Sequence, residues 1–415
     1  MSAHFGLGWG AGVAFLSLAT FGIAGAAETQ GPVTDEIGVI RIAKGDPIAI
    51  GFMAVLSGPD APLGIDEQRG VEILVQDLGG KLLDHPIRLV VEDGQCTAEG
   101  GQAAATRLVD AKVATVIGPT CSSEAKAAAP VLWRAGITSI GVSPTAPSLT
   151  DAKREASFGG FARVCWNDGW AGNTVAEWAR KVLGAKKAVA IHDGSPYAQS
   201  YAQTFLERFK ALGGTSSAVE ASASPDVDLK PLLSKIAGER PDLIFYPVFT
   251  GAAATITKQA ASVPGLEKTA LVASEGALAP DFLKLAGDAA TKVNLAIGDT
   301  SPAVLGKGYP EFVKKYKAKY GSAPVAGFHH FAYDAGLLAS EAIRKVAVTD
   351  KDGNLYIGRK ALRDAIFATK GLQGLSGIKN CDKNGDCGIY HFAVVRYTNA
   401  GEPFQLGKNP AKIYP

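Results

Sequence analysis

The sequence predicts an α/β protein built from two doubly wound parallel-sheet lobes. Three observations carry that expectation. From residue 47 short β-rich runs alternate with stretches that are apolar at helical spacing, and the alternation restarts after about residue 160. The chain, at 415 residues, is also too long for one small core. Repeated βα units build parallel sheets with helices on both faces.

The elements follow in order. IAIGFMAVL (48–56) reads as a strand and DEQRGVEILVQDL (66–78) as a helix. IRLVVED (87–93) is a strand, EGGQAAATRLVDA (99–111) a helix, and ATVIG (114–118) leads through PTC into a helix over 122–135. TSIGVS (138–143) closes the first set. After FARVCW come a helix in GWAGNTVAEWARKVLG, a strand in KAVAIHD (187–193) and a helix near 197–212. PDLIFYPVF (241–249) and TALVAS (269–274) are strands separated by the helical GAAATITKQAAS. Helices are expected over 309–320, 328–347 and 359–369, and GIYHFAVVRYT (388–398) alternates like an exposed edge strand.

Bulk properties narrow the function. Hydrophobic residues make up 47% and charged residues 20%, ordinary for a globular chain, and a net charge of +2 points away from nucleic acid and acidic membranes. Residues 11–27, AGVAFLSLATFGIAGAA, are free of charge, short for a spanning helix, and include Ala24-Gly25-Ala26, the small-residue pattern before a signal-peptidase cut. Residues 1–27 are therefore expected to be a signal peptide, although the leading MSAHFGLGWG carries only His4 as a basic group. GLGWGAG in that segment resembles a dinucleotide-binding loop, but no mature strand precedes it, and no cofactor is expected.

Five cysteines fit an oxidising compartment. Cys381 and Cys387 flank DKNGD and suit a small closed hairpin. Cys96 and Cys121 each follow a predicted strand, where strand ends bring sulfurs together, and Cys165 is left as a buried small hydrophobe. DKNGD resembles the start of a calcium loop but lacks the closing glutamate, and no cysteine spacing suggests zinc. The adjacent His329 and His330 read as a surface pair at a helix start, so no metal is expected.

Open parallel sheets bind ligands beyond the carboxyl ends of their strands. The loops placed there are LSGPDAPLG, GPTCSS, SPTAP, HDGSPY, VFTG and SEGA. They are rich in Ser, Thr, Tyr, Pro and Gly, with one carboxylate read as a cleft anion, Glu275. Such scarcity of acids, bases and nucleophiles argues for binding rather than catalysis. An exported α/β hydrolase would need a G-x-S-x-G elbow, and none is present.

LSGPDAPLG (56–64), VEDGQCTAEGGQAAATRLV (91–109), VIGPTCSSEAKAAAPVL (116–132) and SPTAPSLT (143–150) resemble the periplasmic leucine/isoleucine/valine-binding protein family. So do HDGSPYAQSYAQTF (192–205), SEGA (274–277) and AYDAGLLASEAI (332–343), in the same order. The resemblance implies a type I periplasmic binding protein whose lobes are joined by three crossovers. It places lobe one at 46–163 plus 298–387 and lobe two at 164–297 plus 388–415. It implies a monomer in the periplasm that delivers an amino acid to the membrane permease of an ABC importer.

The family's site maps onto named residues. Ser122 matches the serine that holds the ligand α-carboxylate, at a helix start where unpaired N–H groups favour an anion. Thr145 matches a threonine touching both ligand carboxylate and ammonium, Ser143 a carbonyl accepting from the ammonium, and Glu275 the glutamate that pairs with it. Tyr197 and Tyr333 match cleft tyrosines, and Phe249 falls near a family aromatic. Leu63 stands where branched-chain binders carry a ring, which loosens the expected side-chain preference to branched-chain or other hydrophobic amino acids. Asp168 and Trp170 are further candidates for the cleft wall. Cys96 and Cys121 match the family's lobe-one disulfide. Relatives of this kind also bind amides, urea or aromatic carboxylates, which would use Ser122 and Thr145 without Glu275.

Overall fold

The computed structural model describes residues 1, 27–221, 227–301, 304–389 and 391–414. The expected signal peptide and its GLGWGAG run lie outside these, apart from Met1 and Ala27. Two parallel sheets form the two lobes. In the first, His85–Asp93, Ile48–Ala54, Val116–Ile117, Ser139–Gly141 and Phe161–Arg163 lie side by side in that order, all parallel, and Lys81–Leu82 adds an antiparallel edge. Register puts Phe52 beside both Val91 and Ile117. The first strand thus sits inside the sheet, and the strand order reverses next to it.

The second sheet repeats that order with Thr215–Glu220, Lys187–His192, Leu243–Tyr246, Ala270–Ser274 and Val293–Gly298. Both faces are covered, so these strands read as nearly continuous apolar runs, and Leu243–Tyr246 is buried throughout. In each lobe the order reversal opens a crevice at the carboxyl ends of the strands.

The chain passes between the sheets three times. It leaves the first after Phe161–Arg163, returns after Val293–Gly298, and leaves again after Cys387 to form Phe392–Arg396. Phe161–Arg163, expected near the restart of the pattern, is the last strand of the first sheet. The terminal strand also differs from expectation. Phe392–Arg396 pairs with Val293–Gly298 on one side and Ala411–Tyr414 on the other, both antiparallel, so Ala411–Tyr414 is the edge. Its alternation is that of a strand with buried Ala393, Val394 and Val395, covered by a last strand with no clear signal of its own.

Helix ends follow local chemistry. Thr97 Oγ1 accepts from the Gly100 N–H at 3.0 Å, Asn167 Oδ1 from Gly169 at 2.8 Å, and Ser195 Oγ from Ala198 at 3.2 Å. Helices Ala61–Asp77 and His329–Val346 pack closely because Gly70 has no side chain: a Cβ there would stand 2.1 Å from the His329 carbonyl oxygen. This packing overturns the surface placement of the histidine pair. His329 and His330 are 0% and 1% exposed. His329 Nδ1 lies 2.8 Å from Asp66 Oδ2, which also accepts from the Phe328 and His329 N–H groups at 2.9 Å.

The structure joins Cys96 to Cys121 and Cys381 to Cys387, and Cys165 is free and buried. No helix among the described residues is long and apolar enough to cross a membrane.

Candidate functional site

A small, narrow cavity lies between the lobes. The first lobe lines it with Leu63, Thr120, Cys121, Ser122, Ser143 and Phe328, the second with Tyr197, Phe249, Glu275 and Gly276. Six of the ten residues singled out from sequence therefore meet there.

Ser122 opens helix Ser122–Arg134, directly after Cys121. The side chain of Glu124 turns back to accept from the Cys121 and Cys96 N–H groups, each at 2.8 Å, and from Thr120 at 3.2 Å. The first intrahelical bond runs from Ala125 N–H to the Cys121 carbonyl at 3.0 Å. The Ser122 and Ser123 N–H groups precede it and have no partner within the helix. Ser122 Oγ accepts from the Ala146 N–H at 3.1 Å, which ties the helix start to the SPTAP loop.

Ser143 is held by an acid the sequence did not single out. Its Oγ lies 2.5 Å from Glu67 Oε1 and 2.9 Å from the Thr120 carbonyl, and Thr120 Oγ1 donates to Glu67 Oε2 at 2.7 Å. Burial pushes the Glu67 carboxyl up to about 8, against the two hydroxyl bonds that favour its charge. A serine hydroxyl has one proton and cannot donate both ways. A protonated Glu67 resolves this: it donates to Ser143, which donates to the carbonyl.

Across the cleft, Tyr197 OH donates to Glu275 Oε1 at 2.9 Å and lies 2.6 Å from Ser274 Oγ. Glu275 is buried, which raises its pKa to about 7 despite a backbone hydrogen bond and the Tyr197 hydroxyl. Asp168, at the start of helix Asp168–Lys181, is pushed well above the carboxylate range by burial and then by the Glu275 charge, against a bond from Thr145. Glu275 Oε2 and Asp168 Oδ1 are both buried without a hydrogen-bond partner. Asp168 stands outside the cavity wall, so the site sets the N–H groups of the helix start on one side against the unfilled Glu275 oxygen on the other.

Leu63, Phe249 and Phe328 supply apolar wall, and the Tyr197 and Phe249 rings lie 5.1 Å apart. Thr145 is buried and is not part of the cavity wall: its Oγ1 donates to Asp168 Oδ2 at 2.8 Å. Tyr333 is a correction. It lies on the face of helix His329–Val346 that meets Phe312 and donates to Asp77 Oδ2 at 3.1 Å, away from the cleft. Trp170 is 43% exposed and also stands outside the wall.

Among the described residues, Glu275 is the one carboxylate in the cavity wall, while Glu67 and Asp168 are buried outside it, bonded to Ser143 and Thr145. Glu67 was hidden in the helical run 66–78, where nothing local marks which polar position is buried. Phe328 lies in a connection between two helices rather than in a strand-end loop, and only the strand-end loops carried a signal.

A family model described as periplasmic binding protein matches residues 47–402. An "amino acid binding protein" of Pseudomonas aeruginosa is 26% identical over 379 residues, 90% of this chain and 96% of its own. The crystal structure of a leucine binding protein, LivK, from Thermotoga maritima superposes with a TM-score of 0.76 at 27% identity, covering 89% of this chain and 99% of that one. A solute binding protein of an ABC transporter from R. palustris, solved with benzoate, shares the fold with a TM-score of 0.70 at 23% identity, covering 89% and 98%. With two parallel-sheet lobes, three crossovers and a cavity between them, the chain belongs to the periplasmic binding protein family.

Proposed function

We propose that this protein is the periplasmic solute-binding component of an ABC importer and captures an α-amino acid with an apolar side chain. The observation that supports this reading is the unfilled buried oxygen of Glu275, Oε2, in the wall of the cavity that the helix start at Ser122 also lines. A buried acceptor without a partner costs about 1–3 kcal/mol, more when charged. A ligand ammonium would remove that cost, while its carboxylate would take the N–H groups at Ser122 and Ser123. The apolar side chain would lie against Leu63, Phe249 and Phe328. The names of the Pseudomonas and Thermotoga relatives agree with such a ligand.

Ligand groups held by both lobes favour the closed arrangement over an open one, because only closure completes the contacts. The closed form is then what the permease recognises. A second reading is an aromatic carboxylate, favoured by the rings of Tyr197, Phe249 and Phe328 and by the benzoate-bound relative. It leaves the Glu275 oxygen unfilled and sets a lone anion beside that buried carboxyl, so the amino acid is preferred.

A thermal-shift screen of the mature protein with amino acids, amides, urea and aromatic acids tests the choice. A ligand at about 100 times its Kd adds roughly 2.7 kcal/mol of stability. Stabilisation by apolar L-amino acids is the expected result. A response confined to benzoate and its relatives would overturn it.

A further inference from the structure

Arg163 is the largest fully buried side chain among the described residues, at the end of the last strand of the first sheet. A buried guanidinium persists only where its charge is paired and its donors are used. Here Nε donates to Asp386 Oδ1 at 2.5 Å, Nη1 to the Pro144 and Ala146 carbonyls at 3.0 Å each, and Nη2 to Thr150 Oγ1. Asp386 belongs to DKNGD, the loop closed by Cys381–Cys387. Its second oxygen accepts from Thr150 and from Asn167 Nδ2, each at 3.0 Å, and Asn167 caps the first helix of the second lobe. Backbone bonds hold the same register, with Arg163 N–H on the Gly385 carbonyl at 2.8 Å and Cys387 N–H on the Arg163 carbonyl at 2.9 Å.

The two carbonyls taken by Arg163 flank Thr145 in the SPTAP loop. That loop presents Ser143 to the cavity and gives its Ala146 N–H to Ser122 Oγ. Neither Arg163 nor Asp386 lines the cavity, so any effect on a ligand must pass through the loop. A lysine could not replace the arrangement, because its point charge lacks the planar fork that serves a carboxylate and two carbonyls together.

We propose that Arg163 and Asp386 are positioning residues for ligand binding: the disulfide-closed loop fixes Asp386, Asp386 fixes the Arg163 fork, and the fork sets residues 143–147 against Ser122. The inference rests on reading the inter-lobe cavity as the ligand site. The lost calcium-like pattern of DKNGD thereby gains a use, with its last aspartate turned inward to an arginine.

The test compares wild type with Asp386→Asn and with the double variant Cys381→Ser/Cys387→Ser, which keeps both charges and guards against misfolding of the first. Hydrogen–deuterium exchange of the ligand-free proteins is followed together with calorimetric affinity for L-leucine and for benzoate. Amides of segment 143–150 are expected to exchange roughly tenfold faster in both variants, with strand Lys187–His192 unchanged. Affinity for whichever probe wild type binds is expected to fall about fivefold or more. Unchanged protection of 143–150, a rise spread evenly over the chain, or a local rise with wild-type affinity would each overturn the proposal. Wild type that binds benzoate and not leucine sinks the amino-acid reading and leaves this one standing. If wild type binds neither, the exchange pattern alone decides.

Discussion

Glu275 keeps much of its proton near neutral pH because burial outweighs the bonds that favour its charge. A ligand ammonium would favour the carboxylate and pull its pKa down, so binding releases a proton. The bound state then prefers the deprotonated form. Affinity should be full above pH 7 and fall as pH drops through about 7, by at most roughly tenfold per unit for one proton. Glu275→Gln should weaken amino-acid binding at pH 8 by about tenfold or more and flatten that slope, since charge-assisted bonds are worth roughly 1.5–3 kcal/mol. Calorimetry across pH 6–8 in both proteins checks this, and a change below about twofold would rule out the ammonium role. Ser122 and Glu275 were legible because each lies in a segment that matches the family, Ser122 at a helix start and Glu275 as the carboxylate of SEGA. Glu67 was not, because a lone acid in a helical run carries no mark of whether its face meets solvent or a neighbouring loop. Tyr333 matched a family segment, but only packing reveals that its ring turns toward Phe312.

Elements were readable where period and caps agreed. Strands Ile48–Ala54 and Lys187–His192, and helices Ala98–Asp110 and Ser122–Arg134, lie within two residues of their expected bounds. Strand Val293–Gly298 and helix Lys230–Glu239 went unseen, both short, the second with Pro231 and Gly238 within its ten residues. The small sheet that pairs Val39–Ile42 with Leu355–Gly358 joins segments far apart in the chain, which no local pattern announces. The contact between helices Ala61–Asp77 and His329–Val346 makes its own prediction. Gly70→Ala would drive a methyl into the His329 carbonyl and should cost about 1–3 kcal/mol, read as a lower urea midpoint. Wild-type stability in that variant would show that the helices separate without loss.

The whole molecule carries an electrostatic cost that depends on pH. Glu67, Glu124 and Glu275 hold native pKa values of about 8, 7 and 7, raised above the ordinary carboxylate value in each case chiefly by burial. Between pH 6.5 and 8 the native state therefore binds more protons than the unfolded chain, and stability must fall as pH rises. His330, whose pKa burial lowers, acts in the opposite sense, and that effect fades as pH rises above its ordinary value of 6.5. The melting temperature of the ligand-free protein should be lower at pH 8 than at pH 6.5, and a bound amino acid should shrink the difference. Equal melting temperatures would mean that these acids reach water. The doubled lobe was legible from repetition alone, whereas the burial of these acids was not, since it depends on how elements distant in the chain pack together.

Cys165, two residues past the last strand of the first sheet, has its Sγ 3.9 Å from the Pro144 carbonyl, and burial pushes its thiol well above the ordinary range. It is a chemical clock built into the first crossover. A disulfide reagent should find no thiol in the native protein and one after denaturation, so the slow rate of labelling under native conditions counts how often this crossover opens to water. A ligand that holds the lobes together should slow the clock, and prompt labelling of the native protein would show that the crossover is already open.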